Sequence, residues 1–114
     1  MNPRKTAAAL ATLRDRRTEF EQAGVQTFAV SRDSPYTLVA WSQALELDVP
    51  LVSDWNGDAV RGFGVAHEYR GLRDVAERTA FLVAGDGTVR NTWRYEAAGE
   101  VPDFDELLAA AQAL

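Results

Sequence analysis

Apolar residues recur at helical spacing near both ends of the chain and in short unbroken runs between them. Leu10, Leu13 and Phe20 mark one side of a segment whose other side carries Arg14, Arg16, Arg17, Glu19 and Glu21, which predicts a helix from Arg4 to Ala23. Gly24 supplies the left-handed stop expected after it. Val25 to Ser31 is a run of strand-forming residues without alternation, the mark of a strand buried on both faces. Ser34 can cap a following helix and Pro35 fits its first position, while Leu38, Trp41 and Leu45 give that helix an apolar stripe. Val49 to Ser53 predicts a second buried strand. Asn56 is placed to cap a brief helix through Phe63, closed by Gly62 and Gly64. Ala66 to Ala76 has no clear period and reads as a loop. Arg78–Ala84 and Thr88–Tyr95 flank Gly85-Asp86-Gly87, whose residues tolerate the positive φ that a hairpin turn needs. A final helix begins at Asp103, with Glu106 in capping-box register and Phe104, Leu107, Leu108, Ala111 and Leu114 on its buried side. Helices alternating with strands and a closing hairpin predict one three-layer α/β domain over residues 1–114, with a sheet of mixed strand direction.

Composition narrows the function classes. A chain of 114 residues with 46% hydrophobic and 25% charged residues is ordinary globular material. The formal charge of −5 gives no support to nucleic-acid binding, because phosphates need a basic face. No apolar run reaches the ~18 residues of a membrane span, and the N-terminus lacks a signal-peptide core, so the expected compartment is the cytoplasm. Cysteine is absent, which excludes a disulfide framework, a Cys-ligated zinc site and thiol redox chemistry within this chain.

Several segments, taken in order, resemble one family. Val30-Ser31 leads into Asp33-Ser34-Pro35 and a helix bearing Trp41; Leu51-Val52-Ser53-Asp54 is followed by the aromatic Trp55; then come Phe63-Gly64-Val65 and Arg78 before Thr79-Ala80-Phe81-Leu82-Val83. This ordered set resembles the peroxiredoxins, the AhpC/TSA-type thiol peroxidases, and within them the one-cysteine and atypical bacterial branch. The resemblance runs from about Leu10 to Leu114. It implies a thioredoxin-like fold, reduction of hydrogen peroxide and alkyl hydroperoxides by a thiol reductant without a cofactor, and a homo-oligomer. The implied dimer forms around Ser34, Pro35, Tyr36, Asp54 and Trp55. Arg78 matches the family's active-site arginine.

The departure lies at the front. Family members precede the first long helix with a Pro-x-x-x-Thr-x-x-Cys segment, and aligning Leu10 with the family leucine puts Thr6 at the cysteine position. The resemblance further implies that the strand at the centre of the sheet, between those matching Val25–Ser31 and Arg78–Ala84, has no counterpart in this sequence. The expectation is a peroxiredoxin domain without its N-terminal strands and without peroxidase chemistry. A non-catalytic thioredoxin-like binding or subunit-interaction module is the alternative.

Each singled-out residue also has a plainer reading. Arg78 beside Glu77 fits a surface ion pair, and Trp41, Trp55 and Trp93 fit core or interface positions. His67 stands alone in a polar stretch, so neither a metal site nor a general base is indicated. Glu100, Asp103, Asp105 and Glu106 gather at a helix start, where the dipole favours acids without any metal. Gly85-Asp86-Gly87 joins two strands and is a turn, not a phosphate loop.

Overall fold

The computed structural model describes residues 3–95 and 102–114, with backbone alone at residues 3–6 and Tyr69. The predicted first helix is two helices, α1 (Pro3–Asp15) and α2 (Arg17–Gln22), broken at Arg16, where φ is −103° and ψ 7°. The Arg16 guanidinium there pairs locally with Glu19 at 2.7 Å and makes a tertiary contact with Asp105 at 2.8 Å. The helix stop is as predicted. Gly24 takes φ +82°, Val25 N–H donates to the Phe20 carbonyl at 3.1 Å, and Gly24 N–H donates to the Glu21 carbonyl at 2.9 Å. That pair of bonds is a Schellman closure.

The two strands predicted as buried on both faces are shorter and more open than that: β1 is Ala29–Ser31 and β2 is Leu51–Ser53, paired in parallel, with Val30 opposite Val52 and both exposed on one face of the pair. The ladder begins where Ala29 N–H meets the Pro50 carbonyl at 3.0 Å. Proline has no N–H to continue it, so Val25–Phe28 remain outside the sheet despite their composition. Between these strands runs α3 (Pro35–Ala44), with Ser34 at its N-cap and Leu38 buried. The next helix, α4 (Asp58–Gly62), is capped differently from the prediction: Gly57 occupies the N-cap, and Asp54 rather than Asn56 satisfies its first N–H groups.

The stretch predicted as a loop is a hairpin, β3 (Ala66–Tyr69) with β4 (Leu72–Ala76). Its turn residues Arg70 and Gly71 have φ of +51° and +80°, the doubly left-handed turn that matches strand twist. A bulge between His67 and Tyr69 and a left-handed Asp74 break the alternation, which is why no period showed in the sequence. The hairpin β5 (Thr79–Val83) with β6 (Val89–Arg94) is where it was predicted, and α5 (Phe104–Gln112) starts at the Asp103 cap. Leu114 is a correction: it lies beyond α5 and is 58% exposed. Glu100 falls outside the described residues.

The expected single sheet is, among the described residues, three two-stranded sheets: β1–β2, β3–β4 and β5–β6. The core joins α2, β5 and α5 through Phe20, Leu82 and Ala111, with Leu13, Val25, Trp93, Phe104 and Leu107 packed around them. Truncating Phe20 or Leu82 to alanine removes contacts worth about 2–5 kcal/mol. Phe63, after α4, meets Phe81 of β5 with ring centroids 4.7 Å apart, which ties the two halves together.

Candidate functional site

The parallel pair β1–β2 sets the geometry, since both strands release their loops at the same end. Those loops are laced together. Asp54 N–H donates to the Ser31 carbonyl at 2.6 Å, Ser53 Oγ to the Asp33 carbonyl at 2.7 Å, and Ser31 Oγ to Asp33 Oδ2 at 2.8 Å. The segments Ser34–Tyr36 and Asp54–Trp55, which the sequence paired only by resemblance, therefore leave from one edge. Ser34 Oγ accepts the Thr37 N–H at 3.1 Å and opens α3, with Pro35 at the first helical position. Tyr36 is 87% exposed and Trp55 61% exposed.

Asp54 points inward. It is buried, and its two oxygens accept the N–H groups of Ala59 and Val60 at 2.9 Å each. Burial alone would raise its pKa, but those two donors, with the charges of Arg32 and Arg61, hold the carboxyl below the usual aspartate value. The charge is thus spent on starting α4.

Arg78 stands immediately before β5, partly buried, and its carbonyl accepts the Tyr95 N–H at 2.9 Å. Its neighbour Glu77 faces across the hairpin to Arg94 at 3.3 Å. Thr6 falls in α1; its side chain lies outside the described residues. His67 Nδ1 is 2.7 Å from the Val75 carbonyl of the facing strand. Trp93 packs on the core and donates Nε1–H to Glu106 Oε1 at 3.1 Å, which gives its polar end a partner in α5.

A cluster absent from the sequence reading surrounds Gly57. Arg32, one residue past β1, donates to the Asp74 carbonyl at 2.8 Å, and Arg61 of α4 reaches the Asp74 carboxylate at 3.3 Å. Nothing local signals this meeting, because Arg32 and Asp74 are 42 positions apart.

A parallel βαβ unit, an antiparallel hairpin and a C-terminal helix over a shared core make a thioredoxin-like α/β fold. Solved structures bear this out. The peroxidoxin BcpB of Mycobacterium tuberculosis superposes on 100% of this chain and 73% of its own, with a TM-score of 0.83 and 26% identity. The bacterioferritin comigratory protein of Xanthomonas campestris covers 98% of this chain and 71% of its own, with a TM-score of 0.82 and 31% identity. The AhpC/TSA family pattern matches residues 5–92, and the chain belongs to that family. Among curated relatives, the probable peroxiredoxin prdx-3 of Caenorhabditis elegans is 34% identical over 85 residues, covering 68% of this chain and 36% of the relative. Peroxiredoxin TSA1 of Saccharomyces cerevisiae is 32% identical over 80 residues, covering 64% and 39%. The chain thus spans well under half the length of these relatives.

Among the described residues no helix is long and apolar enough to cross a membrane.

Proposed function

We propose that this chain carries the peroxiredoxin scaffold without the peroxiredoxin reaction. The observation behind this is the absence of cysteine from all 114 residues of a chain whose family match begins at residue 5. Peroxide reduction of this kind starts with a thiolate attacking the O–O bond and leaves a sulfenate, and neither species can form without a cysteine sulfur. Thr6, aligned by resemblance with the cysteine, offers only a hydroxyl that stays protonated near neutral pH. Arg78 is then the former active-site arginine, kept beside β5. Purified chain mixed with hydrogen peroxide or an alkyl hydroperoxide and a thiol reductant should match the buffer rate. Saturable turnover above that rate overturns the reading.

A second reading, a subunit-interaction module acting as a homodimer, is supported by the strand edges and by exposed Tyr36 and Trp55. Ala29 and Ser31 direct their backbone groups to β2, which leaves those of Val30 on the opposite edge, where no described strand pairs. In β5 the Arg78–Tyr95 bond sets a register that turns Thr79 and Phe81 away from β6 in the same way. Open strand edges of this kind are templates for pairing with another chain, so a second copy that covers them is favoured. Light scattering at micromolar concentration should give a mass above that of the monomer. A monomeric mass with cooperative unfolding counts against it.

A further inference from the structure

We propose that Arg32 and Arg61 form a binding site for a small oxyanion, seated over Gly57 at the carboxyl end of the β1–β2 pair. Open α/β sheets place ligands outside the carboxyl ends of their parallel strands, and both arginines stand there: Arg32 in the loop after β1, Arg61 in the helix that follows β2. Gly57 has φ +79°, and a Cβ on it would lie 2.6 Å from the Arg61 terminal nitrogen Nη1 and 2.8 Å from that of Arg32. The two guanidinium groups therefore converge on space that only glycine leaves open. Two cations at this separation repel unless an acceptor lies between them.

The acceptors at hand leave both groups with donors to spare. Asp54 lends the pair its charge, but its oxygens accept the Ala59 and Val60 N–H groups, and neither guanidinium hydrogen-bonds to them among the described residues. Arg61 donates from Nη2 to the Asn56 carbonyl, a neutral acceptor, while the carboxylates of Asp58 and Asp74 reach it only at 3.4 and 3.3 Å, beyond the ~2.7–2.9 Å of a strong charge-assisted bond. Among the described residues Arg32 makes no hydrogen bond to a carboxylate, though its charge is felt by Asp54; it donates to the neutral Asp74 carbonyl. Its Nε is buried with no hydrogen-bond partner among the described residues, and a buried charged donor in that state calls for an acceptor. A guanidinium offers five donors in a planar fork, which suits the oxygens of a phosphate or a carboxylate.

The probe is inorganic phosphate, titrated into the full chain at constant ionic strength against sodium chloride, with sodium acetate as the carboxylate arm. Binding is read by calorimetry and by the rise in thermal midpoint. The expected result is saturable one-to-one phosphate or acetate binding that Arg32→Gln weakens about tenfold or more and that Arg90→Gln, on exposed β6, leaves unchanged. The tighter anion identifies the source, free phosphate or a carboxylate. If Arg32→Gln loses its far-UV signature, Arg32→Lys carries the test, because it keeps the charge but not the fork and should weaken binding severalfold. No saturable response beyond chloride, or equal binding by the folded Arg32 variant and the parent chain, overturns the proposal.

Discussion

Val60 N–H donates to Asp54 Oδ2 across 2.9 Å in a buried contact, so a strand-end carboxylate begins the helix that follows. The arrangement replaces the usual cap, since Gly57 at the N-cap has no side chain to offer. It also explains how a five-residue helix holds its position: the carboxylate and the two N–H groups satisfy one another, and the nearby arginines favour the charged form.

This contact predicts an acid sensitivity. The folded-state pKa of Asp54 is lowered, so the stability it contributes is present above the ordinary aspartate value of about 3.9 and is lost as pH falls through the folded value. Asp54→Ala should cost about 1–3 kcal/mol at pH 7 and less at pH 3, below the unfolded value. Urea unfolding of both proteins at the two pH values checks this. An equal loss at both would mean that the carboxylate charge is not what holds α4.

The Arg70–Gly71 turn yields a second prediction. Gly71 sits at φ +80°, where a side chain is strained, so Gly71→Ala should destabilise the protein by about 1 kcal/mol or more. Gly85→Ala, at a turn glycine without positive φ and with open space at its Cβ, is the matched control and should cost less. Comparing their denaturation midpoints decides the point. If Gly71→Ala is the milder change, the turn does not need its left-handed residue.

What the sequence disclosed and what it hid divide along one line. Features written in a few adjacent residues were legible: the Ser34-Pro35 helix start, the Gly24 stop, the Gly85-Asp86-Gly87 hairpin and the Asp103 cap. Features that depend on a distant partner were not. The break at Arg16 goes with a contact to Asp105, and β1 is cut short by Pro50, which stands just before its partner strand. The β3–β4 hairpin hid because its turn opens with arginine, which carries no turn signal, and because its bulge spoils the alternation. The same limit governs the candidate site: Ser34, Tyr36 and Trp55 came from ordered motifs, whereas Arg32, Arg61 and Asp74 meet only in three dimensions.

The third prediction tests whether Thr6 and Arg78 belong to one vestigial site. Thr6 is in the opening turns of α1, where the helix N-terminus favours a thiolate over a thiol. Thr6→Cys should therefore give a thiol with a pKa below about 8.5, readable from the pH dependence of its alkylation rate, yet peroxide reduction should stay slow. The family's Pro-x-x-x-Thr-x-x-Cys loop aims the sulfur, and Thr6→Cys alone does not supply it. Joining strands that end in such a loop to this chain, with the cysteine at position 6, should bring peroxide reduction up, because donors aimed at the leaving oxygen then act on a positioned reaction. In that rebuilt protein Arg78→Lys should lower kcat/KM, since a point charge cannot reproduce the planar guanidinium fork. The readout that separates this from a merely structural effect is the thiol pKa, which should rise in the Arg78→Lys variant while the unfolding midpoint holds. Fast peroxide reduction by Thr6→Cys alone, or a rebuilt enzyme indifferent to Arg78→Lys, would show that the reaction is organised by other residues.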